Sequence, residues 1–249
     1  MVWGFNKPSS SGKASPEGYL EDEAGRFEDG WDDRLKDHYA ALPLEDQRAL
    51  CDFGDLDPEW WAHLYPYYIT HKMIDERGAR GPDARFPRLS PIRPHEPPIF
   101  LRCYPLRTLG SFMFARGIPA VDEALKEIIE RLEPGLHEFF PLEIRNHKNE
   151  ISDHRFYTLH INQYLNSFSP EDSDPDIFRD NGNYGYISKK SKAGITGLAL
   201  KKDVFSGAHL WFERKLNVGN QPVCLSDELQ AAITDAGLWI PKHYRMREV

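Results

Sequence analysis

The sequence has 249 residues, of which 40% are hydrophobic and 12% aromatic, and its formal net charge is −8 at pH 7. These values are typical of a folded globular protein and exclude a disordered or collagen-like chain. No apolar run is long enough to span a bilayer, and three widely spaced cysteines argue against a disulfide framework, so we expect a cytoplasmic protein without a membrane segment.

The N-terminal part of the chain differs in composition from the rest. Residues 1–18 are rich in Ser, Gly and Pro, which predicts a mobile N-terminal arm. Residues 19–77 are predicted to form an acidic helical region, because Pro43 separates two helix-like segments and Pro58 opens a third. Residues 78–98 contain six prolines and predict an extended connector. Residues 99–249 are then the main α+β domain.

The strongest charge asymmetry lies in residues 21–59, which contain 14 acidic and 4 basic side chains. This balance argues against nucleic-acid binding and favours a basic partner protein, because opposite potentials raise encounter rates. Trp and Tyr next to acidic residues are typical of binding hot spots. The predicted contact residues in this region are Glu28, Asp29, Trp31, Asp32, Asp33, Asp52, Asp55, Asp57 and Trp60.

An amphipathic helix is predicted within residues 118–144. Its apolar residues follow the spacing i, i+3, i+4 and i+7, and they are Leu125, Ile128, Ile129 and Leu132. Asp122 and Glu123 lie in the first turn, where carboxylates complement the helix dipole. Pro134 and Gly135 end the helix.

The remaining elements are predicted from alternating apolar residues and from turn residues. Residues 139–145 and 155–164 read as a hairpin, residues 167–185 as a long exposed loop, and residues 197–202 and 209–216 as strands joined at Ser206 and Gly207. Ser226 is predicted to cap a second amphipathic helix that resembles the first and ends at Gly237. We therefore expect an α+β fold, with a mixed or antiparallel sheet and packed amphipathic helices.

Three blocks of sequence resemble a known family. Residues 133–142, EPGLHEFFPL, are similar to the signature of immunity family eleven of the bacterial polymorphic toxin systems. Residues 156–161 resemble the next strand of that family, and residues 225–238 resemble its closing helix. The resemblance covers roughly residues 96–249.

This resemblance implies an immunity protein that binds a cognate bacterial toxin and blocks its active site stoichiometrically, without cofactors or metal ions. A basic active-site cleft, such as that of a nuclease, would suit the acidic region. Two alternatives remain open at this point. The first is a hydrolase that reverses a toxin's modification, with Asp153, His154 and His160 as candidate polar groups. The second is a scaffold or adaptor of a secretion system that recruits partners through residues 1–18.

Motifs for other chemistry are weak or missing from the sequence. There is no Gly-rich nucleotide-binding loop, and the histidines at positions 137, 147, 154 and 160 lack the spacing of a zinc site. Asp172, Asp174 and Asp176 resemble the start of a calcium loop, but Ile177 stands where that loop requires glycine. We therefore predict no catalytic residue and no metal ligand.

Overall fold

The computed structural model describes residues 1–5, 12–22, 25–26, 100–103, 109–115, 118–180, 184–186, 191–213, 216–217 and 222–249. These residues form strands and helices that follow one another irregularly along the chain, so the predicted α+β class is confirmed. The predicted helices of the acidic region and the connector lie outside the described residues.

A seven-stranded sheet contains the predicted hairpin. In spatial order its strands are β3 (Gly25–Arg26), β2 (Gly18–Asp22), β4 (Phe100–Cys103), β7 (Glu138–Arg145), β8 (Phe156–His160), β6 (Ile118–Asp122) and β5 (Phe112–Ala115). Only β4 and β7 run parallel among these pairs. The hairpin of β7 and β8 is confirmed, with Leu142 opposite Phe156.

A six-stranded sheet contains both ends of the chain. Its strands, in spatial order, are β12 (Ala199–Leu200), β16 (Tyr244–Glu248), β1 (Val2–Phe5), β15 (Val223–Ser226), β13 (Leu210–Glu213) and β9 (Tyr164–Leu165). A smaller sheet has the order β10 (Phe178–Asp180), β11 (Tyr184–Tyr186) and β14 (Leu216–Asn217).

Four α-helices lie in the described part of the chain, and two of them carry the main core. These two are α1 (Glu123–Leu132) and α4 (Asp227–Asp235), and the short helices are α2 (Ser191–Thr196) and α3 (Lys202–Phe205). The predicted apolar stripe of α1 is confirmed, because Leu125, Ile128 and Ile129 are buried. They pack with Leu229 and Ile233 of α4 in one hydrophobic cluster.

The two long helices belong to similar strand–strand–helix units. In each unit an antiparallel strand pair leads directly into the helix: β5 and β6 precede α1, and β13 and β15 precede α4. The residue that caps each helix also donates its backbone N–H to a carbonyl just before the first strand. Asp122 donates to Ser111 at 3.0 Å, and Ser226 donates to His209 at 2.9 Å. The similarity between the helices therefore extends to the strands before them.

The predicted helix ends are also confirmed. The side chain of Asp122 accepts from the backbone N–H of Leu125 at 2.9 Å, and Ser226 accepts from that of Leu229 at 3.0 Å. Gly135 and Gly237 have φ angles of 69° and 65°. This left-handed geometry is nearly free of strain only for glycine, so Gly237 ends α4 directly after its C-cap Ala236. Pro134 ends α1, because a proline disfavours the helical conformation of the preceding residue, Glu133, and Gly135 completes the turn.

The prediction of a mobile arm is wrong for residues 1–5. Strand β1 lies between β15 and β16, with Val2 opposite both Ser226 and Met246. Val2 and Phe5 are fully buried on different sides of the sheet, in two separate clusters. The turn-forming residues lie after this strand, and local composition does not reveal its pairing with strands more than 200 positions away.

The prediction of a long exposed loop over residues 167–185 is wrong for part of that segment. Phe168, Ser169 and Ser173 are buried, and the acidic and prolyl residues form two 3₁₀ turns, Pro170–Asp172 and Pro175–Ile177. Ser173 donates its hydroxyl to the Ser169 carbonyl at 2.6 Å and accepts from the Ala199 N–H at 2.8 Å. These polar side chains bond within the fold rather than to solvent. Helix α3, rather than a simple turn, joins β12 to β13.

Candidate functional site

The predicted toxin-contact residues lie outside the described part of the chain. They are Glu28, Asp29, Trp31, Asp32, Asp33, Asp52, Asp55, Asp57 and Trp60. Of the acidic segment, the structure describes Glu21 and Asp22 at the end of β2, and Gly25 and Arg26 in β3. The placement of the toxin-binding surface in this segment stays a prediction.

A buried polar network joins the end of α1 to the start of β13. Glu133 and His137 are 7% and 6% exposed, and the His137 Nε2 lies 2.7 Å from the Glu133 carboxylate. The same carboxylate accepts from the side chain of Gln163 at 2.7 Å. It also accepts from the backbone N–H groups of His209 at 2.7 Å and Leu210 at 3.0 Å. One carboxylate thus satisfies four donors from three parts of the chain.

The hydrogen bonds of His137 determine which ring nitrogen carries the proton. The backbone N–H of Asn162 donates to Nδ1 at 3.2 Å, so Nδ1 supplies a lone pair. The proton therefore lies on Nε2 and points to Glu133. Both nitrogens are used within the fold, so this histidine is held as a structural residue.

Burial raises the pKa of Glu133, but hydrogen bonds from His137, the His209 backbone and Gln163 lower it by more, and the pKa lies below its usual value. Glu133 is consequently ionised at neutral pH. Its charge attracts the backbone N–H groups at the start of β13 and holds the second strand–strand–helix unit against the first.

Ser226 and His209 form a contact that resembles a catalytic dyad. The His209 Nδ1 lies 2.9 Å from the Ser226 hydroxyl, and a Glu228 carboxylate oxygen lies 3.9 Å from the same nitrogen. In a catalytic triad the serine and the acid contact opposite ring nitrogens. Because Ser226 also accepts from the Leu229 N–H, the arrangement is that of a helix cap.

The residues proposed for a hydrolase are not brought together. Asp153 and His154 are exposed on the loop before β8, and His160 lies at the far end of that strand, opposite Glu138. A rise of roughly 3.3 Å per residue places the two ends of β8, Phe156 and His160, about 13 Å apart, and His154 lies before its start. These three residues therefore do not share a single reaction site.

Two half-buried aromatic rings lie between α1 and the hairpin of β7 and β8. The ammonium of Lys126 is 5.6 Å from the ring centre of Phe139 and 5.2 Å from that of Tyr157. It also pairs with Glu130 at 2.8 Å. Tyr157 donates its hydroxyl to Glu123 at 2.7 Å. We name this arrangement of Glu123, Glu130, Phe139 and Tyr157 around Lys126 the Lys126 site.

The hydrogen bonds of this site set its charge states. The hydrogen bond to Glu130 is the main cause that raises the pKa of Lys126, so the ammonium stays charged. The hydrogen bond to Glu123 is the main cause that raises the pKa of Tyr157, so the phenol stays neutral. The site therefore consists of one cation, two carboxylates and two neutral rings.

A shallow groove adjoins the Lys126 site. It has a volume of about 370 Å³, and Pro141, Ile151, Arg155 and Tyr157 are among the residues that line it. Ile151 is 56% exposed and adds an apolar side chain to this groove. The Asn146 side chain holds that loop by accepting from the N–H groups of Lys148 at 2.8 Å and Glu150 at 3.0 Å.

Residues 59–246 match the model of the immunity protein family (Imm11). The chain belongs to this family. The family match begins before the boundary that the sequence blocks indicated, so it includes the predicted Pro-rich connector and part of the acidic region. No curated protein is significantly similar to this chain.

The network described above gives the Imm11 signature of this chain a structural role. Glu133 and His137 are the residues of the EPGLHEFFPL block that join the two strand–strand–helix units, and Gly135 provides the helix exit between them. The block is recognisable in the sequence, but the network is not, because Gln163, His209 and Leu210 are far from Glu133 along the chain. Within the described ranges, no helix is long and apolar enough to cross a membrane.

Proposed function

We propose that this chain binds a cognate bacterial toxin in the cytoplasm and neutralises it by stoichiometric occlusion of the toxin's active site. The observation that carries the proposal is the Imm11 match over residues 59–246. The structure is compatible with it, because the signature residues serve the fold and the half-buried rings of Phe139 and Tyr157 suit protein contacts. The proposed role is that of a binding protein within a polymorphic toxin system.

The acidic residues 21–59 are the proposed contact surface. A segment with 14 carboxylates and 4 cations attracts a basic cleft. Such a cleft is expected in a toxin that handles phosphate, for example a nuclease, and an acidic surface can occupy it in place of the substrate. This surface also raises the association rate, which suits an inhibitor that must act before the toxin damages its target.

The first test is to purify the tagged protein from its native host and identify what binds to it by mass spectrometry. The proposal predicts one stoichiometric partner with a toxin domain. Recovery of the protein alone, at natural expression levels of the toxin, would contradict it.

The second test places the interface. A variant with Glu28, Asp29, Asp32 and Asp33 all changed to lysine is expected to bind the recovered toxin domain at least tenfold more weakly, with a reduced dependence on salt. The matched control reverses four exposed carboxylates of the described domain: Glu171, Asp176, Asp203 and Asp235. Equal affinity of both variants would contradict the placement of the interface in the acidic residues 21–59.

A further inference from the structure

The Lys126 site has the composition of a receptor for cations. Phe139 and Tyr157 lie on the same face of the sheet, because Pro141 is the cross-strand partner of Tyr157 and stands two positions from Phe139. Their rings and the carboxylate of Glu130 surround an ammonium group. Ring faces attract cations through their quadrupoles, and a carboxylate adds a direct ion pair.

Lys126 itself shows that the site accepts a cation in this fold. On its own helix it forms the i to i+4 pair with Glu130, a contact type that is weak, and it is also attracted by Glu123. Removing its ammonium would leave two half-buried rings between Glu123 and Glu130. The groove at Pro141 and Ile151 continues the apolar surface on the side of Tyr157.

We propose that the Lys126 site receives a lysine or arginine side chain of the toxin, which displaces the ammonium of Lys126. The displaced ammonium of Lys126 can extend into solvent. The incoming side chain keeps the pairing with Glu130 and the two rings, and the neighbouring apolar groove contacts the rest of the toxin segment. Lys126 then lowers affinity by competing with the partner.

This inference rests on the proposed function for the identity of the partner, but the site can be tested without a toxin. The probe is tetramethylammonium chloride, and the measurement is the NMR shift of the ring signals of Phe139 and Tyr157. The variant Lys126→Ala is expected to show saturable shifts that the wild type lacks, and Lys126→Ala combined with Phe139→Leu is expected to lose them, since leucine has no ring face. Unchanged ring signals in Lys126→Ala up to about 100 mM of the salt, a concentration that reveals even weak millimolar binding, would overturn the inference.

The second test measures the affinity of the recovered toxin domain. Lys126→Ala is expected to bind about two- to fivefold more tightly than the wild type, and Phe139→Leu more weakly by a similar factor. The matched control is Lys201→Ala, which removes another surface lysine that pairs with a glutamate, Glu171, at 2.9 Å. It accounts for the general effect of losing one positive charge.

The outcomes separate this inference from the proposed function. Tighter binding by Lys126→Ala than by Lys201→Ala supports displacement. Equal binding by the two variants would overturn it, because Lys126 would then have no specific role in binding. Weaker binding by Lys126→Ala would also overturn it, because Lys126 would then contact the toxin directly. If no toxin domain is recovered with the wild type, the proposed function fails, while the ring-shift experiment still decides whether the cation site exists.

Discussion

Replacing Glu133 by alanine removes the acceptor shared by four donors at the junction of the two strand–strand–helix units. The side chains of His137 and Gln163 can turn to other partners or to water. The backbone N–H groups of His209 and Leu210 cannot turn to other partners, because pairing of β13 with β15 fixes the backbone at the start of β13. The variant therefore leaves one buried donor, at Leu210, and one part-buried donor, at His209, without this acceptor.

The size of the effect follows from these two groups. An unsatisfied buried donor costs about 1–3 kcal/mol, and a hydrogen bond to a charged group contributes about 1.5–3 kcal/mol. We expect Glu133→Ala to lower the free energy of unfolding by about 2–4 kcal/mol. Glu133→Gln keeps one acceptor oxygen but turns an N–H₂ group toward existing donors, so we expect a loss of about 1–3 kcal/mol.

The pH dependence gives a second signature. The pKa of Glu133 is lower in the folded protein than in the unfolded chain, so its ionisation stabilises the fold above the unfolded pKa. That contribution is lost as the pH falls through the folded pKa. The difference in unfolding free energy between the wild type and Glu133→Gln should therefore be largest near neutral pH and shrink as the solution becomes more acidic than the usual carboxyl range.

The assay is urea denaturation followed by tryptophan fluorescence, repeated over a series of pH values. Glu130→Ala serves as the control, because Glu130 lies on the same helix but is exposed, and its pair with Lys126 is expected to contribute less than about 1 kcal/mol. A loss below about 1 kcal/mol for Glu133→Ala, or a pH-independent difference for Glu133→Gln, would refute the role assigned to the network.

Three further substitutions test the fold. Phe5→Ala should lower the free energy of unfolding by about 3–5 kcal/mol in urea denaturation, since this fully buried ring belongs to the central strand β1; a surface-like loss below about 0.5 kcal/mol would show that the strand does not form. Ser226→Ala should cost about 1 kcal/mol in the same assay through loss of the cap to Leu229, and no loss would argue against the cap. Gly110→Ala should change the fluorescence of Trp239 and lower the melting temperature, because a Cβ there would lie 2.4 Å from the indole ring; an unchanged spectrum would contradict this packing.

Helices α1 and α4 could be predicted because their signals are local. The apolar spacing of Leu125, Ile128 and Ile129 fixes the buried face, and the caps and exits lie within a few residues of each helix. The hairpin of β7 and β8 was predictable for the same reason, since alternation and a turn indicate it directly.

Features that depend on distant residues could not be predicted. Strand β1 has only four residues, and its place between β15 and β16 depends on residues at the other end of the chain. The polar residues after Ser167 resemble an exposed loop. However, Phe168 packs in the same hydrophobic cluster as Val2 and Trp211, and Ser173 is also buried. The same holds for the candidate site. The signature block could be recognised from the sequence, but the partners of Glu133 could not be predicted, because they come from two other parts of the chain.

Stoichiometric neutralisation can be tested by titrating the toxin with this protein. The toxin domain recovered with the protein is held at a concentration well above the dissociation constant, and its activity is measured as increasing amounts of this chain are added. If the chain occludes the active site, the toxin activity falls linearly and reaches its minimum at one chain per toxin domain. Full protection at a small fraction of that ratio would contradict occlusion and indicate an enzyme that reverses the toxin's modification.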